Sequence, residues 1–414
     1  MAALLLLGFA SGLPSQIIDV PLKTWLTQAG VDLKDITNIS ALVLIPYGFK
    51  YVWAPILDRF TPPFLGRRRG WILLTQIAII AAIALLAFQN PSSGNLQLVT
   101  GISIALAFFS ASQDIASNAY SADVLEKPER GAGAAVSTLG FRVSMLFASG
   151  VILVLTDPKL PNHISWNTAY LLLAGLMLLN LTTSFWAPQP IDEAKAPDSL
   201  AKAIVLPFQD FFQRKGSISG VLILAFIFVY KIGDNMVKGV STPFLLKVAH
   251  YSQTEIGAIG SGIGLIAAIV GALVGGILLN KVSLNRSLWL SSILLAIGIL
   301  PYVVLAQAAQ GLPVSQNPGD LLLLLAMSTE LFFASMEATV FVAFLMDLCN
   351  EQFSATQYAL FTALMIAGKG FVTAPLGGIA ESLGWPGFFL LSALSAIPGL
   401  LLLNFIAPWQ ESKD

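Results

Sequence analysis

The chain has 414 residues, 56% of them hydrophobic and 11% charged, with a mean hydropathy of +0.78 and a formal net charge of −1. Soluble domains carry about 25% charged residues, so a water-covered globule is excluded and the bilayer becomes the solvent for most of the chain. The near-neutral balance excludes an electrostatic footprint for nucleic acid. The single cysteine, Cys349, excludes an internal disulfide or a cysteine-rich metal site.

A membrane-crossing helix takes about 20 predominantly apolar residues, and the hydropathy pattern predicts twelve. The first, Ala2–Thr27, starts directly at Met1 and lacks the basic leader of a secretory signal peptide. It carries Asp19 and Lys23, four residues apart and so on one helix face. The second, Ile36–Leu57, holds Lys50 and leads into the loop LDRFTPPFLGRRRGW. There Asp58, Arg59, Arg67, Arg68 and Arg69 place an acid beside clustered arginines. Such a set can bridge helix ends in one conformational state and not in another, so a gating role is expected; the alternative is topogenic charge alone.

The third span is Trp71–Phe88. The fourth, Leu96–Val124, is expected to gather Ser110, Gln113, Asp114, Ser117, Asn118, Tyr120 and Ser121 on one polar stripe. The fifth, Ala132–Leu155, brings Arg142, the expected partner of Asp114, and the sixth is Trp166–Trp186. Ala187–Lys215 is the longest polar stretch. It opens PQPIDEAKAPDS and continues with Leu200, Ile204, Val205, Phe208, Phe211 and Phe212 at helical spacing, which predicts a helix lying at the membrane interface. The expected domains are therefore 1–186, a cytoplasmic linker over 187–215, and 216–414.

The seventh span, Ile218–Leu245, places Tyr230, Lys231, Asp234, Asn235 and Lys238 on one face. The eighth, Glu255–Leu279, has Gly257, Gly260, Gly264, Gly271 and Gly275 for close packing. After the ninth, Leu288–Ala306, the tenth, Asp320–Leu348, carries Glu330 and Glu337, two turns apart. The eleventh, Ala355–Ala380, carries Lys369, and the twelfth is Trp385–Ile406.

The two halves read as a repeat. GVDLKDI at 30–36 corresponds to HYSQTEI at 250–256, PILDRF at 55–60 to ILLNKV at 277–282, and FFSASQDIA at 108–116 to LFFASMEAT at 331–339. The last pairing sets Asp114 opposite Glu337. Parallel six-helix repeats with a substrate site near mid-membrane are the architecture of the major facilitator fold. The expected fold class is thus an all-α polytopic membrane protein, twelve transmembrane helices in two pseudo-symmetric bundles. Lys and Arg fall mostly on one side, in the loops after the second, fourth, sixth and eighth spans, which predicts both termini in the cytoplasm.

An ionisable side chain at the bilayer centre costs at least about 2.5–3.5 kcal/mol, so each one implies a partner or a watered cavity. Eleven such groups lie on spans 1, 2, 4, 5, 7, 10 and 11: Asp19, Lys23, Lys50, Asp114, Arg142, Lys231, Asp234, Lys238, Glu330, Glu337 and Lys369. With Gln113, Asn118, Tyr120 and Tyr230 they form the expected substrate and proton pathway. Ion pairing that merely holds helices together is the alternative for any one pair, and eleven groups are too many for that role alone. A carboxylate whose affinity for protons shifts with burial and with a neighbouring cation is a candidate proton carrier. Asp114 with Arg142 is the first choice; Glu337 and Asp234 follow. The six cations against five acids favour an anionic solute.

Several stretches resemble the AmpG-type muropeptide permeases of the major facilitator superfamily. They are LLGFASGLP at 6–14, TWLTQAGV at 24–31, WAPILDRF at 53–60, PPFLGRRRGW at 62–71, SQDIASNAY at 112–120, ERGAGAA at 129–135, YKIGDNM at 230–236 and TPFLL at 242–246. The resemblance spans nearly the whole chain. It implies proton-driven import of anhydro-muropeptides, the disaccharide-peptide fragments of cell-wall recycling, by alternating access across a bacterial inner membrane. It also implies a monomer without a cofactor, whose partners are the solute, protons and lipid. Family members often have Asp where Asn118 stands, and some have two extra helices that this chain lacks. The alternatives are a carrier of another amphiphilic anion and a non-transporting membrane assembly factor; no catalytic triad, phosphate loop or metal cluster points to an enzyme.

Overall fold

The computed structural model describes residues 1–91, 94–125, 130–188, 209–313, 316–350 and 354–407. Within them the chain is helical throughout, as a lipid-exposed backbone must be when no water is present to satisfy its polar groups. Ten helices are long and apolar enough to cross a bilayer, the last of them, Leu376–Ile406, being broken at Gly384.

We number the spans α1 to α12. They are α1 (Ala2–Gln28), α2 (33–59), α3 (Arg67–Ala87), α4 (Leu96–Val124), α5 (130–155), α6 (Trp166–Trp186), α7 (Ser217–Lys247), α8 (Gln253–Lys281), α9 (Leu284–Ala309), α10 (Asp320–Asp347), α11 (354–383) and α12 (385–406). Proline interrupts two of these. The α2 span is assembled from Leu33–Leu42, Ile45–Phe49, a 3-10 turn at Lys50–Val52 and Ala54–Arg59, with Pro46 and Pro55 opening two of the pieces. The α11 span runs as Ser354–Thr373, kinks at Pro375 and resumes at Leu376; positive φ at Gly384 (68°) then separates it from α12. Proline lacks the amide hydrogen and clashes with the preceding turn, so breaks at these residues are expected.

The described residues group into two compact units, Met1–Asp32 with Leu42–Asp198, and Leu33–Ala41 with Ser199–Asp414. The first turns of α2 therefore group with the second unit. In unit 1, α1 and α5 approach backbone to backbone: a Cβ on Gly8 would lie 2.0 Å from the Ser137 carbonyl oxygen, and one on Gly140 2.0 Å from that of Leu5. In unit 2 the same device joins α8 to α10, where a Cβ on Gly271 would lie 2.0 Å from the Phe332 carbonyl oxygen. Aromatic packing fills part of the core of unit 2, where Phe226 contacts Tyr230, Phe341 and Phe344 and Tyr230 stacks on Phe341. The predicted interfacial helix falls largely on residues 189–208, outside the described ones; Phe211 and Phe212 lie on the helical stretch 209–215, and Phe211 is buried against Phe361.

Candidate transport site

Both α1 and α7 lose helical geometry in mid-span, and both place an acid–lysine pair at the break. In α1 the backbone of Asp19 leaves the helical region (φ −101°, ψ −100°), and its carboxylate accepts from Lys23 Nζ at 2.5 Å. In α7 the helix stops at Val229 and restarts at Ile232, and Lys238 Nζ lies 2.7 Å from Asp234 Oδ1. A break frees backbone groups and makes room for polar side chains within a span, the usual construction of a midplane site.

In unit 1, Asp114 on α4 faces the 3-10 turn of α2, with Lys50 Nζ 3.8 Å from its Oδ2. Ser11 of α1 hydrogen-bonds the same carboxylate, and Tyr47, whose hydroxyl donates to Ser110 Oγ at 2.7 Å, stands beside it. The expected pairing of Asp114 with Arg142 is not the one formed. Lys50 reaches it instead, because the proline-broken α2 turns its polar turn toward α4. Arg142 is half-buried and makes no ion pair or hydrogen bond with a described residue.

The α4 polar residues do not form one stripe. Asp114, Asn118 and Ser121 share the accessible face, whereas Ser110, Gln113, Ser117 and Tyr120 are buried. Gln113 and Ser117 leave their polar atoms without a hydrogen bond in that packing. Tyr120 is a core residue, packed against Leu7, Leu57 and Ile72 with its hydroxyl donated to the Pro188 carbonyl. Tyr230 is likewise core, donating to the Leu288 carbonyl at 3.0 Å. Both tyrosines are packed in cores and donate to backbone carbonyls, positions that hydropathy alone does not distinguish from those lining a cavity.

In unit 2 the charges converge. Lys231 Nζ lies 3.2 Å from Asp234 and 3.0 Å from Glu337, and Lys238 Nζ lies 4.0 Å from Glu330. The three carboxylates are nearly fully buried, while the Lys238 side chain is 39% exposed. Lys238 is thus where the cluster meets its surroundings. Lys369 sits on α11 of the same unit.

The arginine loop braces unit 1 internally. Arg68 Nε pairs with Asp123 Oδ2 at 2.7 Å, tying the start of α3 to the end of α4. Arg69 donates to the carbonyls of Ser184 (2.9 Å) and Phe185 (2.6 Å), capping α6, where unsatisfied carbonyls carry the negative end of the helix dipole. Arg67 is buried beside them. The side chains of Asp58 and Arg59 lie outside the described ones.

Sequence reading did not single out Ser11, Tyr47, Asp123, Tyr302 or Asp210. Asp210, ahead of α7, accepts from Arg214 (2.9 Å), Asn350 (2.8 Å) and Gln357 (2.9 Å), and Arg214 also donates to the Leu348 carbonyl. Desolvation pushes the Asp210 carboxyl up; these hydrogen bonds outweigh it and hold the group below the usual aspartate range. No periodicity marks such residues, since their partners are distant in sequence.

Residues 4–327 match the family model of the Major Facilitator Superfamily. The chain is 41% identical over 406 residues to the anhydromuropeptide permease of Escherichia coli (strain K12), covering 97% of this chain and 78% of that permease. It is 30% identical to putative transporter AmpG 4 of Rickettsia felis, over 97% of this chain and 95% of that one. Among solved structures, the D-xylose-proton symporter superposes with a TM-score of 0.73 at 15% identity, covering 98% of this chain and 97% of that one, a likeness of fold. The breaks in α1 and α7, the charges they carry and the pseudo-repeated bundles are thus those of a polytopic membrane transporter and not of an enzyme: the chain belongs to the Major Facilitator Superfamily, within the family of AmpG-type permeases.

Proposed function

We propose that this protein imports anhydro-muropeptides across a bacterial inner membrane, driven by an inward proton gradient, through alternating access. The observation that carries the reading is a partly accessible cation paired with an acid at mid-span in each unit: Lys50 with the equally accessible Asp114, and Lys238 with the buried Asp234. A purely structural pair has no reason to keep one partner accessible, whereas a site that binds and releases an anion does. Half-buried Arg142 adds a cation free to meet a solute carboxylate, in the bidentate geometry a guanidinium favours. The identity to the permease of Escherichia coli supplies the solute class.

Asp19, Lys23, Lys50, Asp114, Asn118 and Arg142 form the unit 1 share of the pathway, and Lys231, Asp234, Lys238, Glu330, Glu337 and Lys369 the unit 2 share. Both termini lie in the cytoplasm, 187–215 links the six-helix bundles 1–186 and 216–414, and the carrier acts as a monomer. Another amphiphilic anion is the second reading, favoured by Asn118 standing where relatives often carry an acid.

The test is uptake of radiolabelled anhydro-muropeptide into proteoliposomes with and without an inward proton gradient. Gradient-driven accumulation is expected. Folded wild-type protein that takes up none of it would sink the solute assignment.

A further inference from the structure

The arginines that open α3 are not equivalent. Arg68 is neutralised by Asp123 at 2.7 Å, and both side chains are nearly buried. Arg69 has no described acid within ion-pair distance. Its Nε–H donates to the Ser184 carbonyl and one terminal N–H to the Phe185 carbonyl, whereas a guanidinium has five such donors. The carbonyls at a helix end supply only about half a negative charge. Three N–H groups and a net positive charge therefore remain on Arg69.

The side chains near this cation are apolar and face outward. Phe185 and Trp186, at the helix end that Arg69 caps, are 58% and 51% exposed, and Phe64 in the loop before α3 is 70% exposed. That loop is a fixed turn. Trp71 donates its indole N–H to the Phe60 carbonyl at 2.7 Å, Leu65 and Gly66 both have positive φ (63° and 74°), and a Cβ on Gly70 would lie 2.6 Å from the Phe64 carbonyl oxygen. Positive φ at a leucine is costly and persists only where its surroundings hold it. Phe64 is thus held outside the packed body of unit 1. Further along, α3 and α6 run side by side, joined by the Ser184 hydroxyl donating to Gln76 at 2.9 Å, and expose Leu74, Ile77 and Leu178.

Exposed aromatic residues at the ends of apolar spans lie at the level of lipid headgroups. A cation among them faces the phosphate layer, and a guanidinium takes phosphate oxygens in pairs. A zwitterionic headgroup would bring its own ammonium toward Arg69; an anionic one would not. We propose that Arg69, flanked by Phe185, Trp186 and the Phe64 turn, binds the phosphodiester of an anionic glycerophospholipid, whose acyl chains lie along the outer faces of α3 and α6. The phosphate accepts from the N–H groups that the α6 carbonyls leave unused. This site is at the end of the spans, apart from the mid-span charges, and it stands whichever solute the protein carries.

The test uses the full-length protein in phosphatidylcholine vesicles containing either dibrominated phosphatidylglycerol or dibrominated phosphatidylcholine at the same mole fraction. Bromine quenches tryptophan on contact, and the difference between wild type and Trp186→Phe isolates the Trp186 signal. Phosphatidylglycerol should bind there about fivefold more strongly than phosphatidylcholine, the factor one basic residue contributes beside an anionic lipid. Arg69→Gln should bring the two lipids level. Equal quenching by both lipids in the wild type, or an unchanged preference in Arg69→Gln, overturns the proposal. Should Arg69→Gln not fold, the same difference taken with Trp385→Phe, on α12 of unit 2, decides: an equal preference there marks general surface attraction and overturns the site, and its absence there supports it. Loss of the preference on adding millimolar inorganic phosphate marks a site for a free anion and overturns the lipid; a preference unmoved by phosphate supports it.

Discussion

Units 1 and 2 repeat one design and differ in how their mid-span charges are arranged. In unit 1 the acids are spread out: Asp19 bonds Lys23 on its own helix, and Asp114 reaches across to Lys50, with both members of that pair about a quarter exposed. In unit 2, Asp234 and Lys238 repeat the intrahelical pair of α1, but Lys231, Glu330 and Glu337 crowd around it and all three acids are nearly fully buried. The helix packing explains the difference. Unit 1 closes its tight glycine seam between α1 and α5, α2 is broken where it meets α4, and Asp114 there is about a quarter exposed. Unit 2 closes its seam between α8 and α10, and the acids of α10 meet the lysines of α7. Repeats with the same topology thus acquire different electrostatics from where the small residues fall.

The largest expected effect tests the crowding. Lys231→Met removes the cation shared by two buried acids and should destabilise the protein by about 3–5 kcal/mol, the range for orphaning a partner of a buried pair. The double variant with Glu337→Gln should recover much of this in a double-mutant cycle read by thermal unfolding. The equivalent change in unit 1, Lys50→Met, should cost about 1 kcal/mol or less, because that pair is long and partly solvated. Equal losses in the two units would break the comparison.

The seams come next. Gly140→Ala and Gly271→Ala each place a Cβ 2.0 Å from a facing carbonyl oxygen and should lower stability by about 1–3 kcal/mol, the usual range for overpacking. Gly101→Ala, with open space around its Cβ position, should be close to neutral. Folded yield and melting temperature read all three. Tyr120→Phe should be milder, losing the hydrogen bond to the Pro188 carbonyl, worth about 0.5–1.5 kcal/mol, while transport by the folded fraction continues because the ring is core.

The smallest effect concerns Asp210→Asn. The wild-type carboxyl is held below the ordinary aspartate value of about 3.9, so its contribution is present above that pH and is lost as the pH falls through the lowered folded value. Melting curves of the variant and the wild type should therefore differ slightly at neutral pH and converge in acid. A gap that widens in acid would contradict the assignment.

The sequence by itself determined the solvent, the all-helical class and the residues that bear charge in the membrane. Composition and a 20-residue apolar period depend on each segment alone, since a helix satisfies its own backbone and each apolar stretch answers to lipid independently. The resemblance in SQDIASNAY and PPFLGRRRGW was equally local. Which charges meet was decided only by tertiary structure. Asp114 pairs with Lys50 and not Arg142 because proline breaks in α2 rotate one turn toward α4. Tyr120 and Tyr230 belong to packed cores, where carbonyls 68 and 58 residues away accept hydrogen bonds from their hydroxyls. Lys231 of α7 meets Glu337 of α10 at 3.0 Å across two helices, a contact that position along the chain does not foretell. Burial and partner distance are properties of packing between helices, and they set the energy of a charge in a membrane far more than its position along the chain.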